Sequence, residues 1–522
     1  MAAANCSLRV DRRLIDANFD SYRLSLEPLP TYAVELDGAV AEVKLREDQY
    51  TLDHMRVFGM YNYLHCDRWY QDSVYYVDQH ERVMHLAVTL DTAISKPREV
   101  FRLSAEIKSC DTLVCASMHF TSPTWAALSD GTGRLYLLKT NSRAPNNTDK
   151  WEIMFQQELG EPFVIIHSHS FVKDNTNLID VVLLKTEKDE SNVKGSGFHS
   201  AIDWLTITCE NNEPVYYWQQ TDEDLTVNIQ LKENTTKQNI EFQLSADHLN
   251  VGVKGQVVFI EGQLFSSVDH SESTWTITEN RLEIFMIKKN KGVMWPEVVI
   301  GDRGGECIVN PSQTSELNER LLNLTSEELN ADPERGKQAC NAQELEECDR
   351  FPEDTSSLTR FDSNTLKATH VVNLSSHQYL FTAVVNPAEM PCLCLRHDVD
   401  ALLWQPHTKQ EDMWEHIGTF NALGYVQASK REKKFATCAP DHSYAALCEC
   451  FRRVFIYRQP SPVQTVLYNR KEARHVGQVA KQQVANLETN DPVLGFQATN
   501  ERLFVLTTKT LFVIKVNADG PQ

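Results

Sequence analysis

Residues 213–302 alternate between apolar and polar side chains with a period of two, and this pattern restricts the stretch to a β fold. The runs at 225–231, 240–244 and 249–253 all alternate in this way, and polar breaks that contain Asp or Asn separate them. Alternation of this kind indicates half-buried strands. Three such runs in succession predict a β-meander.

A hairpin is predicted in the second half of the same stretch. Short apolar-polar runs at 275–277 and 282–284 flank a turn-like segment at 278–281. With these runs the stretch contains about seven short strands and no helical period, which is typical of an antiparallel β-sandwich.

Several motifs within the sandwich resemble one known domain. They are the Tyr-Trp-Gln-Gln-Thr run at 217–221, the acidic residues 222–224, Gly-Gln-Leu at 262–264, Ser-Thr-Trp-Thr-Ile at 273–277, Lys288-Lys289 and Trp295-Pro296. Their order and spacing resemble a CS domain of the NudC type, the sandwich shared with the Hsp90 co-chaperone p23. Residues 64–74 and 394–404 also resemble longer members of the NudC family, so the resemblance extends over essentially the whole chain.

The chain on both sides of the sandwich is rich in short strand-like runs. Examples are 74–77, 134–138, 423–426 and 453–457, and a Ser-Asp-Gly-Thr-Gly turn at 129–133 separates two of them. Strand, turn and strand recur at uneven intervals, which favours a β-propeller interrupted by the inserted sandwich. A single large sandwich or two smaller β domains is the alternative.

We therefore predict an all-β protein with five segments. They are an extended arm at 1–30, the first part of the propeller at 31–212, the CS domain at 213–302, an acidic linker at 303–358 with a short helix at 315–324, and the rest of the propeller at 359–522. The family that the chain resembles leads us to expect more residues between 208 and 213 than are present. A shorter splice form would have such a junction, and the ring would then contain an unpaired strand edge.

Charge and targeting signals narrow the possible partners. The chain has 72 acidic and 51 basic residues and a formal charge of -21, which disfavours direct binding to nucleic acid or insertion into membranes. The basic cluster at 430–434 is interpreted as a solvated hairpin tip. We identify no signal sequence and no long apolar run, so we expect the protein in the cytoplasm and nucleus with its 13 cysteines reduced. The sequence has no sustained heptads typical of a coiled coil, so we expect a monomer.

Chemical motifs are discounted one by one. The sequence contains no phosphate-binding Gly-rich loop, no Gly-x-Ser-x-Gly elbow and no His-Glu-x-x-His pair. The Arg-His-Asp-Val-Asp run at 396–400 is interpreted as a polar turn between strands. The cysteine pairs Cys392 with Cys394 and Cys448 with Cys450, which have Cys438 and His442 nearby in the sequence, are interpreted as structural because strands oppose tetrahedral convergence. The pair His167 with His169 is interpreted in the same way. We predict no catalytic residue, metal or cofactor.

Protein binding is the predicted activity. The residues that we select as interaction candidates are Tyr217, Trp218, Lys288, Lys289, Trp295 and Pro296. The resemblance implies a non-enzymatic co-chaperone-like adaptor whose CS domain works with Hsp90 or with β-propeller clients. The first alternative is a scaffold subunit whose propeller binds a trafficking coat or an RNA-processing enzyme. A propeller hydrolase is a more distant alternative.

Overall fold

The computed structural model is built almost entirely of β-strands. It describes residues 4–6, 8–16, 19–44, 61–90, 93–103, 114–144, 149–160, 162–173, 176–188, 198–208, 215–231, 235–254, 258–278, 281–302, 304–307, 357–361, 368–374, 377–386, 389–406, 414–430, 433–469 and 474–517. The predicted helix at 315–324 lies outside these residues. None of the helices in the described part of the chain is long and apolar enough to span a bilayer.

Three strands belong to the N-terminal arm and the next twelve form three sheets, which we name blades 1 to 3. The arm contains β1 (Ala4–Cys6), β2 (Tyr22–Leu24) and β3 (Thr31–Glu35). Blade 1 contains β4 (His65–Cys66), β5 (Ser73–Val77), β6 (Arg82–Leu90), β7 (Ala93–Ile94) and β8 (Arg98–Arg102). Blade 2 contains β9 (Ser117–Ser122), β10 (Trp125–Ser129), β11 (Arg134–Lys139) and β12 (Glu152–Glu158), and blade 3 contains β13 (Phe163–Lys173), β14 (Thr176–Lys188) and β15 (Phe198–Thr208).

Eight strands then form two sheets that face each other as a sandwich. These strands are β16 (Tyr216–Gln220), β17 (Asp224–Gln230), β18 (Ile240–Leu244), β19 (His248–Val253), β20 (Val258–Gln263), β21 (Val268–Thr278), β22 (Arg281–Lys288) and β23 (Gly305–Cys307). One sheet has the order β21-β22-β17-β16-β23 and the other has the order β18-β19-β20. The predicted sandwich and the hairpin of β21 with β22 are confirmed. The predicted meander is wrong at its first step, because β17 pairs with β16 and β22 and the chain changes sheet before β18.

Four further blades follow the sandwich. Blade 4 contains β24 (Ser357–Phe361) and β25 (Ala368–Asn373), and blade 5 contains β26 (Gln378–Ala383), β27 (Cys392–His397), β28 (Asp400–Gln405) and β29 (Glu415–Phe420). Blade 6 contains β30 (Lys433–Cys438), β31 (Tyr444–Glu449), β32 (Arg453–Arg458), β33 (Ser461–Asn469) and β34 (Arg474–Asn486). Blade 7 contains β35 (Val493–Ala498), β36 (Arg502–Thr507) and β37 (Thr510–Lys515), with β3 of the arm as its outer strand.

The blades stand side by side with their first strands innermost. The first strand of blade 1 contacts those of blades 2 and 7, and the first strand of blade 6 contacts those of blades 5 and 7. Middle strands read as continuous apolar runs, and every residue of β10 and of β36 is buried. Both faces of such a strand are covered because a neighbouring blade packs on each side of the sheet. The all-β propeller with an inserted sandwich is therefore the fold of this chain.

The N-terminal arm follows the outer rim of the ring across four blades. β1 runs parallel to β25 of blade 4, and β2 runs parallel to β34 of blade 6. Between them a 3₁₀ turn at Arg12–Leu14 contacts β29 of blade 5, and the Tyr22 hydroxyl donates to the Asn421 carbonyl oxygen at 2.7 Å. β3 then pairs antiparallel with β37 and completes blade 7. The arm thus joins the C-terminal blades to the beginning of the chain.

Two local predictions in blades 5 and 6 are wrong. Residues 423–426, predicted as a strand, lie in the helix α1 (Leu423–Ala428). Ala422 adopts a left-handed conformation with φ of 57°, and its N–H donates to the Asp400 carboxylate at 2.6 Å, which starts the helix. Lys430, expected at a hairpin tip, lies after α1, where its ammonium group stacks 4.3 Å from the centre of the Phe455 ring.

The turn at 129–133 is confirmed between β10 and β11, and its geometry requires a glycine. Gly131 has φ of +81°, and an added Cβ would lie 2.1 Å from the carbonyl oxygen of Val114. A side chain at this position would displace the connection from blade 1, so the Asp-Gly pattern determines both the turn and the contact between two blades.

A buried ion pair joins blade 1 to blade 2. Arg143 donates to Asp67 at 2.6 Å, to the hydroxyl of Thr140 at 2.8 Å and to the carbonyl oxygen of Ser122 at 2.8 Å. The side chains of Arg143 and Asp67 are both fully buried. The Asp67 carboxylate has little access to water, so the free-energy cost of keeping it charged depends on its pairing with Arg143.

We expect Arg143→Met to destabilise the propeller by about 3–5 kcal/mol, because it leaves the Asp67 carboxylate buried without a cation. The measurement is the free energy of unfolding from urea denaturation. Arg13→Met is the matched control, since Arg13 pairs with Asp11 where the two side chains are 77% and 30% exposed. Equal denaturation midpoints for the two variants would contradict the structural role of the buried pair.

Candidate protein-interaction site

The outer face of the five-stranded sheet presents a row of side chains that do not contribute to the sandwich core. Along β16, Tyr216 and Trp218 point into the core, so Tyr217 between them points outward and is half-buried. Tyr217 lies opposite Asn228 on β17, which in turn lies opposite Glu283 on β22. Arg281 donates to the Asn228 side chain at 2.8 Å, so this row is polar and ordered.

Four of the six predicted interaction residues belong to the core and are corrected here. Trp218 and Trp295 are among the largest fully buried side chains, and Pro296 is buried beside them. Lys288 is also buried, with 1% of its surface exposed. The side chains of these four residues are therefore not exposed to a partner in the folded chain. Of the two remaining candidates, Lys289 is exposed and Tyr217 is half-buried, and their contact with a partner stays a prediction.

Lys288 joins β16 to the turn that follows β22 through hydrogen bonds. Its ammonium group donates to the Gln220 side-chain oxygen at 2.8 Å and to the carbonyl oxygens of Thr221 at 2.7 Å and Val293 at 2.8 Å. The same Gln220 side chain also bonds the backbone of Trp295 in both directions. Burial lowers the pKa of Lys288 to about 8. All three protons of the ammonium group thus hold β16 against the turn that follows β22.

The sandwich rests against blades 1 and 2. One continuous hydrophobic cluster includes Tyr70 of blade 1, Trp151 of blade 2 and Trp295 of the sandwich. The Glu297 carboxylate is hydrogen-bonded to the Ser142 side chain, and Ser142 lies 3.1 Å from the Tyr70 hydroxyl. Burial raises the pKa of Glu297. The Trp-Pro-Glu turn at 295–297, which resembled an exposed edge, is therefore the side of the CS domain that docks on the propeller.

The opposite face of the ring carries exposed apolar side chains that sequence reasoning missed. Strands alternate in direction within a blade, so turns between first and second or third and fourth strands share one face. Tyr70 and Ser142 lie on that face. Val399 lies between the second and third strands of blade 5, Phe451 occupies the same turn of blade 6, and Tyr425 is in α1 between these blades. They are 44%, 51% and 63% exposed, respectively.

The exposure of Val399, Tyr425 and Phe451 follows no periodic pattern, so the sequence does not predict it. Val399 accepts a hydrogen bond from the N–H of Tyr425 at 3.0 Å, so these two residues are held together. Gly424 allows the approach, because an added Cβ would lie 2.7 Å from the carbonyl oxygen of Asp400. The only available signal was Gly424 within a segment that reads as a strand.

The thiol and imidazole pairs lie in packed surroundings. Cys392 and Cys394 are fully buried in the core between blades 5 and 6, and burial raises the pKa of both thiols. The Arg-His-Asp-Val-Asp run forms the turn between β27 and β28, as predicted, with Asp398 at φ of 54°. In the described ranges, no three His, Cys, Asp or Glu side chains converge as a metal site requires.

Several histidines of blades 1 to 3 are held neutral in the interior. The ring of His85 accepts a hydrogen bond at Nδ1 from Arg98 at 3.1 Å, and its Nε2 lies 3.0 Å from the hydroxyl of Ser73. A protonated ring has no lone pair for Arg98, and burial lowers the pKa of His85 to about 3. The ring of His167 packs against those of His119 and His169, and burial lowers its pKa as well.

Comparison with known proteins connects these features to a family. The model of the CS domain matches residues 214–288. NudC domain-containing protein 1 of Mus musculus is 58% identical over 584 aligned positions that cover 100% of both chains. The Xenopus tropicalis protein of the same name is 53% identical, with 99% of this chain and 100% of the relative covered. The chain belongs to the NudC domain-containing protein 1 family.

Two solved structures align with this family member at low overall similarity. The nuclear movement protein from E. cuniculi GB-M1 covers 16% of this chain and 99% of its own, at 20% identity and a TM-score of 0.15. The β-propeller domain of Myceliophteria thermophila Cps50 (Swd1) covers 88% of this chain and 96% of its own, at 7% identity and a TM-score of 0.33. The family alignment with the mouse protein has 584 positions against 522 residues here, a difference of 62.

We expect Lys288→Met to destabilise the CS domain, because the carbonyl oxygens of Thr221 and Val293 lose their donor, at a cost of roughly 1–3 kcal/mol for each group left unsatisfied, while the Gln220 oxygen keeps only the N–H of Trp295. Lys289→Met changes the neighbouring exposed lysine in the same way and serves as the matched control. Hydrogen exchange of the β16 and β22 amides in the full chain reports the effect locally. If the amides of both variants exchange at the rate of the unmodified chain, the hydrogen bonds of Lys288 do not stabilise the packing of β16 against the turn after β22.

The buried histidines predict acid sensitivity of the ring. A folded-state pKa below the unfolded value of about 6.5 means that the unfolded chain binds more protons between these values. Stability is therefore complete above pH 6.5 and falls below it, by about 1 kcal/mol at pH 5.5 for each such histidine.

Urea denaturation of the full chain at pH 7.5, 6.5 and 5.5 measures this loss of stability. The His85→Gln variant keeps an acceptor for Arg98 and a donor for Ser73 but does not titrate, so we expect its stability to depend less steeply on pH. A flat profile for the unmodified chain over this range would show that these rings do not take up protons on unfolding.

Proposed function

We propose that this protein is a non-enzymatic co-chaperone-like adaptor. Its CS domain works with Hsp90, with β-propeller client proteins, or with both, while its own propeller binds a partner. The observation that carries the proposal is the CS match at 214–288 within a chain that aligns over its full length with the NudC domain-containing protein 1 family. CS domains of this family are protein-interaction modules, which supports a role in binding other proteins.

The placement of the CS domain supports an adaptor with two working surfaces. The Trp-Pro-Glu turn at 295–297 is buried against blades 1 and 2, whereas Lys289 and the outer-row residues Arg281 and Glu283 are exposed. Val399, Tyr425 and Phe451 lie on the opposite face of the ring. Two proteins bound at these surfaces are held at high effective concentration, so a weak contact of the CS domain becomes sufficient.

The acidic charge of the chain is consistent with action on proteins in the cytoplasm and nucleus, where we propose that it works as a monomer. A formal charge of -21 repels nucleic-acid phosphates and anionic headgroups. Cys66, Cys115, Cys392, Cys394, Cys438 and Cys448 are buried free thiols, which is consistent with a reducing compartment.

The second candidate function is a scaffold subunit that binds a defined assembly, such as a trafficking coat or an RNA-processing enzyme, through its propeller. The exposed apolar residues Val399, Tyr425 and Phe451 favour it, because aromatic side chains grouped on one face are typical of stable contacts. In this case the CS domain contributes little to the affinity.

Binding of the full chain to purified Hsp90, measured by isothermal titration calorimetry with an ATP analogue or ADP, tests the first function. We expect Lys289→Glu to weaken binding about tenfold, because it reverses a charge beside the outer sheet row. Lys254→Glu is the matched control, since Lys254 is an exposed lysine next to the other sheet of the same domain. Equal affinities for the two variants would exclude this surface.

A further variant, compared with Lys289→Glu, separates the two functions. A chain with Val399→Ser, Tyr425→Ser and Phe451→Ser removes the apolar side chains of the propeller face without changing the charge. If the scaffold function is correct, this variant loses a stoichiometric partner complex, whereas Lys289→Glu retains it. Failure of the unmodified chain both to bind Hsp90 and to protect a β-propeller client from aggregation would refute the co-chaperone proposal.

A further inference from the structure

We infer that the contact of the CS domain with blades 1 and 2 is closed while the Glu297 carboxyl group is protonated and is released when this group ionises. The inference goes beyond the proposed adaptor function, because it assigns a control of the position of the CS domain. It is tested without any partner protein, so its outcome is independent of Hsp90 binding.

The docking contact brings hydroxyl groups of the propeller against carboxyl groups of the CS domain. On the propeller side, the Tyr70 hydroxyl of blade 1 lies 3.1 Å from the Ser142 hydroxyl of blade 2. On the CS side, Glu297 is hydrogen-bonded to Ser142, and Asp302 accepts a hydrogen bond from the hydroxyl of Tyr216 at 2.6 Å. Glu297 is 9% exposed. A carboxyl group of the CS domain is thus hydrogen-bonded to the propeller within a buried contact.

The turn that carries Glu297 is held within the CS domain on both sides. Before it, the N–H of Trp295 donates to the side-chain oxygen of Gln220 at the end of β16, at 2.8 Å. After it, the N–H of Ile300 donates to the carbonyl oxygen of Gln263 at the end of β20, at 2.9 Å. The turn therefore moves with the sandwich, and release of the docking contact does not require the sandwich to unfold.

The surroundings of Glu297 favour its uncharged form. Burial is the largest cause that raises the pKa of this carboxyl group above its ordinary value of 4.5, and the Asp302 carboxylate raises it further. Hydrogen bonds from the N–H of Gly301, at 3.2 Å, and from Ser142 act in the opposite direction. The net result is a raised pKa, so the docked position retains a proton more readily than open water does.

The other ionisable groups at the contact do not change charge in the same way. Burial raises the pKa of the Tyr70 and Tyr216 hydroxyls, which therefore stay neutral. The Arg143 guanidinium lies 5.7 Å from the centre of the Tyr70 ring, but it donates to Asp67 at 2.6 Å and is paired there. Among these described groups, Glu297 therefore links its charge to docking.

Hydrogen bonding explains why the protonated form fits the closed contact. One oxygen of Glu297 accepts from Gly301, and a protonated second oxygen donates to the Ser142 hydroxyl, which then donates to Tyr70. Ionisation removes this donor and places a negative charge in a buried site beside Asp302. A buried charge costs free energy that water relieves when the contact opens. Ionisation therefore favours release.

The direction of the pH dependence follows from the raised pKa. The docked form binds the proton of Glu297 more tightly than the released form, in which the pKa is near 4.5. Docking is therefore strongest below pH 4.5 and weakens as the pH rises through the docked pKa. Seven residues join β15 to β16, so a released domain stays within about 25 Å of the end of blade 3. Release exposes Tyr70 and the turn at 295–297 without separating the two parts of the protein.

Hydroxyl-radical footprinting of the full chain measures the released fraction. Tyr70 is buried at the docking contact, and Tyr136 is a buried tyrosine within blade 2 that corrects for any loosening of the ring at low pH. We expect the rate of Tyr70 oxidation relative to that of Tyr136 to rise about twofold or more between pH 5.5 and pH 7.5. Equal relative rates at the two pH values would overturn the inference.

Two variants assign the pH dependence to one carboxyl group. Glu297→Gln keeps the shape and the donor of the protonated group but does not titrate, so its relative rate should stay constant over this range. At pH 7.5 it should lie about twofold or more below that of the unmodified chain. Glu261→Gln changes an exposed carboxyl group on β20 of the same domain and should keep the unmodified profile. If Glu297→Gln retains the pH dependence of the unmodified chain, another group controls docking and the inference is wrong.

Hydrogen exchange of the β17 and β22 amides distinguishes release from unfolding. After correction for the intrinsic effect of pH, we expect these amides to exchange equally at pH 5.5 and 7.5 in all three chains, because the sandwich stays folded when the contact opens. Exchange that rises together with Tyr70 oxidation would show that the CS domain unfolds instead, and would overturn the inference.

Discussion

The sheets of the propeller are apolar on both faces, and the architecture depends on covering each face with a neighbouring sheet. β10 and β36 are buried along their whole length because blades pack on both sides of them. A ring satisfies this requirement for every sheet at once, whereas a row of sheets leaves two faces uncovered. The arm has its place for the same reason: β3 completes blade 7, and the residues before it lie along blades 4 to 6. Pairing of the N-terminal arm with blades 4 to 7 thus stabilises these blades through contacts between the two ends of the chain.

The sandwich follows a different rule, because only one face of each of its sheets needs cover. The period-two pattern at 225–231, 240–244 and 249–253 predicted this fold correctly, and the hairpin at 275–284 was equally clear. Alternation shows which side chains face the core, but it does not show which strand lies beside which. The change of sheet between β17 and β18 was therefore missed. The CS motifs had the same limitation, because they located the domain but not the direction of its side chains. Trp218, Lys288 and Trp295 are buried, and Lys288 is held by hydrogen bonds, but the sequence alone does not distinguish such residues from exposed ones.

Features created by tertiary contacts were beyond the reach of local patterns. The helix α1 forms where residues 423–426 read as a strand, because the Asp400 carboxylate bonds the N–H of Ala422 from another strand. Exposure of Val399, Tyr425 and Phe451 likewise results from their positions in turns of neighbouring blades. The shortened junction after residue 208, which the resemblance to the family implies, stays a prediction. The structure adds the strand positions on each side of it, which a comparison of lengths does not contain.

The docking of the CS domain constrains how the two halves of the protein cooperate. Seven residues tether it to β15, and the Glu297 carboxylate, hydrogen-bonded to Ser142, is buried at the contact with blades 1 and 2. Burial of a carboxyl group costs free energy unless the interface remains closed and supplies hydrogen bonds, so the contact favours one orientation of the domain. A protein bound near Tyr425 is then on the far side of the ring from the CS domain. Cooperation between the two surfaces therefore requires a partner that extends around the rim, or two partners that bind each other, and tethering rather than a conformational signal is the simplest physical link.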